Sequence, residues 1–292
     1  MPTPSPLARL LRAAAWSVLA LLATALPAKT HLKIATTAAA MDAFANWTAT
    51  TSWENIKSFK NGNASRPVVD LVLQLQALRA GGLDFDFELV RALTYDLAKK
   101  EVVEGRCDLS AESIWGPEIE ANADAVLSTE PVLAQGEFVK GIYVLPTNER
   151  LLKLSSMADF KEATGVVVSS WEFDGKTLQA LSPKGVVKVA TPELAYAAVQ
   201  KGQADFMLDE FSGAADLAMV RNGVRLIPVP GQKVALGSYR AYIVSKKSTA
   251  AAAVHQALAA GTKALRDNGT VQRAYTESGF FNPKVADWKQ VN

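Results

Sequence analysis

Apolar residues recur along the chain with two alternating periods, that of an α-helix and that of a β-strand. Residues 67–79 carry apolar side chains at helical spacing, with Pro67 in the first turn and two glycines directly after the end. Residues 84–90 alternate apolar and acidic side chains, which is the period of a strand, and residues 93–103 return to helical spacing. Strands that alternate with helices form mostly parallel sheets covered by helices, so the pattern predicts an α/β fold.

The same alternation of strands and helices extends over the rest of the chain after residue 31. Further strands are predicted at 32–36, 109–114, 138–145, 165–169, 186–189, 205–208 and 240–244, and further helices at 176–180, 192–201, 250–267 and 270–278. Thr191 is expected to cap the helix that starts at Pro192. Strands 138–145 and 240–244 have similar sequences, which predicts two crossings between two lobes. We expect lobe 1 to comprise residues 29–145 and 238–292, and lobe 2 residues 146–237.

Composition narrows the class of protein. The 292 residues are 49% apolar and 21% charged, with a net charge of +2 and no long run of one sign. This is an ordinary globular composition, and it lacks the basic face that nucleic-acid binders carry. Cys107 is the only cysteine, which excludes an internal disulfide and a thiolate zinc site.

The N-terminus has the pattern of a secretory signal peptide. Arg9 and Arg12 precede an apolar stretch at 13–26, which is too short to span a bilayer, and small residues follow. We expect residues 1–28 to be a leader that is cleaved after Ala25 or Ala28; a buried helix is the alternative. The mature chain would then be a soluble periplasmic protein with no membrane insertion.

Signatures of catalysis and of cofactor binding are absent from the sequence. It contains no glycine-rich phosphate loop, no Gly-x-Ser-x-Gly elbow and no His-Glu-x-x-His helix, and its only histidines are His31 and His255. Glu118 and Glu120 could bind a hard cation, although such pairs are more often solvated loop residues. We therefore expect no enzyme activity, no cofactor and no metal.

Tryptophans in predicted loops are the first candidates for ligand binding. Trp47, Trp53, Trp115 and Trp171 lie outside the predicted helices and strands, among mostly polar neighbours. Trp115 and Trp171 directly follow strand candidates, where open α/β sheets bind their ligands. An indole at such a place lines a pocket or fills the core, and the sequence leaves both readings open.

Several stretches resemble a known family. Residues 104–109 and 201–209 resemble its Gly-x-x-Asp stretches, 127–132 its Phe-Ser-x-Pro-Tyr stretch, and 264–275 its final helix pair. From about Lys33 to Ser278, the chain is similar to the type II periplasmic solute-binding proteins of the polar amino-acid group (family 3). The resemblance implies a monomer whose two lobes close on a small-molecule solute and present it to an inner-membrane ABC permease or a sensor.

The resemblance also implies a site. In the family, an arginine in the loop after the first Gly-x-x-Asp strand holds the ligand carboxylate; the matching loop here, residues 112–120, contains no arginine. Asp209 matches the family aspartate that pairs with a ligand amine, so we expect a cationic or neutral solute, with hinges near Val144 and Tyr239. The expected ligand-binding residues are Trp53, Glu112, Ser113, Trp115, Ser169, Ser170, Trp171 and Asp209.

Two other functions remain open at this stage. The same fold could be a dehydratase-type enzyme in which Glu112 or Asp209 acts as a general acid, which requires burial. It could instead be a degenerate relative that binds no solute and serves as a protein-interaction module.

Overall fold

The computed structural model describes residues 29–153, 157–181 and 183–292. The predicted signal peptide, residues 1–28, lies outside these ranges. Within them, no helix combines the length and the apolar character that crossing a membrane requires.

The first half of lobe 1 is built from βα units, as the periodicity predicts. Its elements are β1 (Thr30–Thr37), α1 (Ala38–Thr48), α2 (Arg66–Ala80), β2 (Phe85–Ala92), α3 (Tyr95–Val103), β3 (Leu109–Ser110), β4 (Ile114–Trp115), α4 (Gly116–Glu120) and β5 (Val126–Ser128). Both β2 and β3 pair with β1 in parallel. Trp47 lies buried on α1, in a segment that was expected to be mostly loop.

Lobe 2 contains the middle of the chain. Its elements are β6 (Val139–Val144), α5 (Glu149–Leu152), β7 (Thr164–Val168), α6 (Glu172–Ala180), β8 (Gly185–Val189), α7 (Pro192–Gln200), β9 (Phe206–Asp209), β10 (Met219–Arg221) and β11 (Val224–Ala235). The strands form one sheet in the order β10-β11-β6-β9-β7-β8, with β7 parallel to both β8 and β9. The Thr191 hydroxyl accepts a hydrogen bond from the Leu194 N–H and caps α7, as predicted.

The chain then returns to lobe 1 and leaves it again. It forms β12 (Arg240–Ala241), β13 (Ile243–Ser245), α8 (Ala251–Asp267), α9 (Thr270–Glu277) and β14 (Lys289–Gln290). β13 completes the first sheet, in the order β2-β1-β3-β13-β5, and β12 pairs with β4. β14 pairs with β11 of lobe 2.

The observed sheets shift the expected lobe boundaries. β6 pairs with β9 and β11, so residues 139–144 belong to the second sheet rather than to the end of lobe 1. The last residues also join lobe 2 through β14, so the chain crosses between the lobes three times instead of twice. The first two crossings lie at 129–138 and 236–239. Tyr239 lies in the second crossing, as expected for a hinge, whereas Val144 is the buried last residue of β6 and pairs with lobe 2 strands, so the hinge expected there is wrong.

Candidate ligand-binding site

A cavity of about 630 Å³ lies between the two lobes and is lined by both. Its walls include Thr37 at the end of β1, Val168 at the end of β7, Ala190 directly after β8 and Asp209 at the end of β9. In lobe 2, β7 is parallel to both β8 and β9, and in lobe 1, β1 is parallel to β2, so the cavity lies at the carboxyl ends of parallel strands in both sheets. Open α/β sheets place ligands at this edge.

Five of the eight expected site residues line this cavity: Glu112, Trp115, Ser170, Trp171 and Asp209. The other three do not. Trp53 packs against Phe85 and Phe87 in the lobe 1 core, with ring centroids 5.8 and 6.3 Å away. Ser113 is fully buried behind the cavity wall, and the Ser169 hydroxyl donates a hydrogen bond to the Val189 carbonyl beside a smaller cavity.

Ser113 has a structural partner in Asp70, which lies buried on α2. One Asp70 oxygen accepts from the Ser113 N–H at 3.0 Å and from its hydroxyl at 2.8 Å; the other accepts from the Tyr275 hydroxyl at 2.6 Å. Burial, and then the Asp70 charge, raise the pKa of Tyr275 well above its ordinary value, so this hydroxyl remains a donor. The network fixes the loop between β3 and β4 against α2.

Arg66 begins α2 and joins three carboxylates across the cleft. It lies 3.0 Å from Asp70, 3.2 Å from Glu112 and 3.5 Å from Glu210, and Glu210 directly follows β9 of lobe 2. Burial by itself would lower the pKa of Arg66, but the three carboxylates outweigh it and raise the pKa. Arg66 therefore stays charged and connects the two lobes electrostatically.

Lys140 supplies a second buried cation from β6. It is 4% exposed and pairs with Asp174 of α6, and its ammonium lies 4.6 Å from the centroid of the Trp171 ring. Burial acts to lower the pKa of Lys140, yet the charge of Asp174 leaves it raised. Trp171 thus lines the cavity and also packs against this buried ion pair. It therefore acts both as a pocket wall and as a core residue, the two possibilities that the sequence left open.

Trp115 stacks on rings from both sides of the cleft. Phe138, from the first crossing, lies 5.3 Å away, and Phe173, from α6 of lobe 2, lies 4.7 Å away. The guanidinium of Arg240 lies 4.5 Å from the centroid of the indole ring. Trp115 is therefore both a core residue and a wall of the cavity, and its contact with Phe173 joins the lobes.

Sequence reasoning missed the cations of the cleft. Arg66, Lys140 and Arg240 all line the cavity, although the loop 112–120 contains no arginine. Both Lys140 and Arg240 lie in predicted strands, and neither was expected to bind a ligand. The sequence did indicate that these two residues could be functional. Each is a charged residue in an otherwise apolar strand, and such residues are rarely buried without a partner.

The sequence matches no protein-family model, and no curated protein matches it. Solved structures do share its fold. The probable amino-acid ABC transporter extracellular-binding protein ytmK from Bacillus subtilis has 12% identity and a TM-score of 0.56, over 85% of this chain and 96% of that chain. Substrate binding domain 2 of GlnP from Lactococcus lactis has 15% identity and a TM-score of 0.51, over 86% and 96%.

A mutant of ArgBP from T. maritima is similar at 17% identity and a TM-score of 0.51, over 84% of this chain and 93% of that chain. At these identities the likeness establishes the fold. The chain therefore has the two-lobed periplasmic-binding-protein fold, and the fold class expected from its sequence is confirmed.

Proposed function

We propose that this chain is a periplasmic solute-binding protein without catalytic activity, whose lobes close over a small polar solute and present it to an inner-membrane ABC permease or a sensor. The observation that carries the proposal is the cavity of about 630 Å³, which both lobes line. Its volume falls within the range of small-molecule sites, about 300–1,000 Å³. The likeness to amino-acid ABC transporter binding domains supports the same function.

The contacts across the cleft support a closing motion. The Arg66–Glu210 ion pair and the Trp115–Phe173 stack each join one lobe to the other, and both border the cavity. Lobes that are joined in this way separate by rotation at the connecting segments, which here are 129–138, 236–239 and the third crossing between α9 and β14.

The carboxylates of the cleft favour binding over catalysis. Glu112 accepts a hydrogen bond from Arg66, and Asp209 accepts one from the Tyr196 hydroxyl and one from the Glu210 N–H. Both carboxyl groups therefore act as hydrogen-bond acceptors toward side chains and backbone of the chain itself. A dehydratase would need one of them as a proton donor.

Thermal unfolding of residues 29–292 with a panel of amino acids, polyamines, organic acids and quaternary amines tests the proposal. A ligand at a hundredfold excess over its Kd stabilises the protein by about 2.7 kcal/mol. The same ligand should reduce the radius of gyration measured by small-angle X-ray scattering. Asp209→Asn should weaken binding, whereas Asp124→Asn, an exposed control outside the cavity, should not.

Three results would contradict the proposal. Consumption of the bound ligand during incubation would indicate the enzyme. A panel that gives neither stabilisation nor compaction would favour the interaction module. Binding that is equally tight in Asp209→Asn and wild type, with no compaction, would place the ligand outside the cleft.

A further inference from the structure

One cation of the cavity differs from the others in its partners. Of the four basic side chains that line it, Arg66, Lys140 and Arg221 each pair with a carboxylate. Arg240 forms no ion pair with any residue that the structure describes. It is nevertheless only 3% exposed. Burial of an unpaired charge is costly, so an arginine in this state calls for an anionic partner.

The inner edge and the faces of the Arg240 guanidinium are occupied. Its Nε donates to the Ser113 hydroxyl at 3.1 Å, and Nη2 donates to the Ser113 carbonyl. One face lies against the Trp115 ring, and the Tyr95 ring is 5.3 Å away. Because a guanidinium has five N–H donors, three remain on Nη1 and Nη2. A carboxylate binds to that pair of nitrogens with two parallel hydrogen bonds.

Glu112 and Glu118, two lobe 1 acids that line the same cavity as Arg240, already have partners. Glu112 is bound to Arg66, while Glu118 accepts from the Tyr95 hydroxyl at 2.5 Å and from Lys99 at 2.6 Å. Ser113, which positions Arg240, is itself held by Asp70. Thus the guanidinium is fixed in orientation, and no carboxylate of the described chain pairs with it.

We propose that Arg240 is the anion-binding residue of the cleft and that the solute is a small zwitterion whose carboxylate it holds. The proposal rests on the proposed solute-binding function and names its ligand class. β12 pairs with β4, with Arg240 opposite Trp115, so this arginine reaches the β3–β4 region from the neighbouring strand. It compensates for the arginine that is missing from the loop 112–120.

The remaining lining charges explain why the ligand also carries a cationic group. Eight acidic side chains and four basic ones line the cavity. A ligand with negative charge alone would meet a net repulsive surface, whereas a zwitterion places its cationic group among the acids. Asp209 and Glu210, from lobe 2, lie on the same cavity. The expectation of a cationic or neutral solute is thereby narrowed to a neutral one with a carboxylate.

Calorimetric titration with matched pairs of compounds tests the assignment. Suitable pairs are phenylalanine and phenethylamine, and glycine betaine and choline, in which the second compound lacks the carboxylate. We expect a zwitterion to bind at least about 30-fold more tightly than its partner, the loss that follows when one member of a buried charge pair is removed. Arg240→Gln should abolish this preference.

Two further variants keep the test decisive. Arg240→Lys retains the charge but loses the two-pronged geometry, so its preference for the zwitterion over the compound without a carboxylate should be intermediate. If Arg240→Gln lacks a native near-ultraviolet circular dichroism spectrum, Arg240→Lys takes its place in the test. Arg225→Gln removes an exposed arginine that pairs with Asp216 outside the cavity, and it should behave as wild type.

The assignment to Arg240 fails if a compound without a carboxylate binds as tightly as its zwitterionic partner. It also fails if Arg240→Gln leaves the Kd of the zwitterion unchanged. If no zwitterion binds at up to about 10 mM but a sugar or polyol does, this inference is wrong and the solute-binding function stands. If nothing binds and the lobes do not move, both are wrong.

Discussion

Cys107 shows how position can suppress the chemistry of a single residue. Its side chain is buried next to β3, and burial, followed by the nearby charges of Glu101 and Asp108, raises the pKa of the thiol to about 11. At pH 8 only about one thiol in a thousand would be ionised, and the thiolate is the reactive form. We expect 5,5′-dithiobis(2-nitrobenzoic acid) to label the folded protein slowly and the urea-unfolded protein rapidly.

A matched variant shows whether slow labelling is due to burial of the thiol or to slow reaction of the reagent itself. Cys107→Ser combined with Thr51→Cys moves the single thiol to an exposed position, where labelling of the folded protein should be rapid. If the native Cys107 is labelled as fast as this control, the thiol is accessible and burial does not suppress its reactivity.

At the scale of elements, the contact between helices α2 and α8 depends on two glycines. Helices α2 and α8 approach so closely that a Cβ on Gly261 would lie 1.8 Å from the Ala77 carbonyl oxygen, and one on Gly81 would lie 1.9 Å from that of Ala257. Alanine normally stabilises a helix relative to glycine by about 1 kcal/mol. Gly261→Ala should instead lower the free energy of unfolding by about 1–3 kcal/mol, because backbone must move.

Gly175 is the internal control for this prediction. It lies on α6, and a Cβ there would have no atom within 4 Å. Gly175→Ala should raise the free energy of unfolding by about 0.4–1 kcal/mol, with urea denaturation as the measurement for both variants. Equal effects of the two substitutions would show that the α2–α8 contact can relax.

Glu277 attaches the end of α9 to the loop before α2. Its carboxylate accepts from the Phe59 N–H at 2.7 Å and from the Ser58 hydroxyl, and the Phe59 hydrogen bond is the main reason that its pKa is lowered from 4.5. A lowered native pKa contributes stability above the unfolded pKa and loses it as pH falls toward the native one. Glu277→Gln should therefore destabilise the protein at pH 7 more than at pH 3.

Thermal unfolding of wild type and Glu277→Gln between pH 7 and pH 3 measures that difference. Glu149→Gln, which changes an exposed side chain of α5, is the control and should change the melting temperature little at either pH. A difference between wild type and Glu277→Gln that stays constant with pH would mean that the charge of Glu277 does not contribute.

Local patterns predicted most elements but not all. The βα alternation and the Thr191 cap depend on neighbouring residues, and both are found in the structure. The antiparallel pair of β10 and β11 was not predicted. Pro228 and Pro230 interrupt its second strand, and a proline within an apolar run argues against a central strand. The structure accommodates them with a shift of register between Pro228 and Lys233.

For the whole molecule, the site was only partly readable from sequence. Trp115 was expected at the site because it follows a predicted strand, and Asp209 because the family resemblance implies it; both line the cavity. Arg66 and Arg240 line the same cavity although they lie far apart in the sequence. Their proximity depends on tertiary packing, above all on the pairing of β12 with β4, which no local pattern encodes.

The third crossing connects the C-terminal segment to the site. Trp288 packs edge-on against Phe211 at 5.4 Å, and the Lys233 ammonium donates to the carbonyls of Val285 and Ala286. Phe211 lies two residues after Asp209 and directly after Glu210, which pairs with Arg66 across the cleft. The indole therefore supports the segment that presents the lobe 2 carboxylates.

Trp288→Ala should accordingly affect both stability and binding. Loss of the ring contact should lower the free energy of unfolding by about 1–3 kcal/mol, less than for a fully buried tryptophan, and should weaken ligand binding because Glu210 is less well positioned. Lys289→Ala, on β14, keeps the backbone pairing with β11 and should change neither. Urea denaturation and calorimetric titration measure the two effects. If Trp288→Ala lowers stability but leaves the Kd unchanged, the third crossing anchors the chain end without positioning the site.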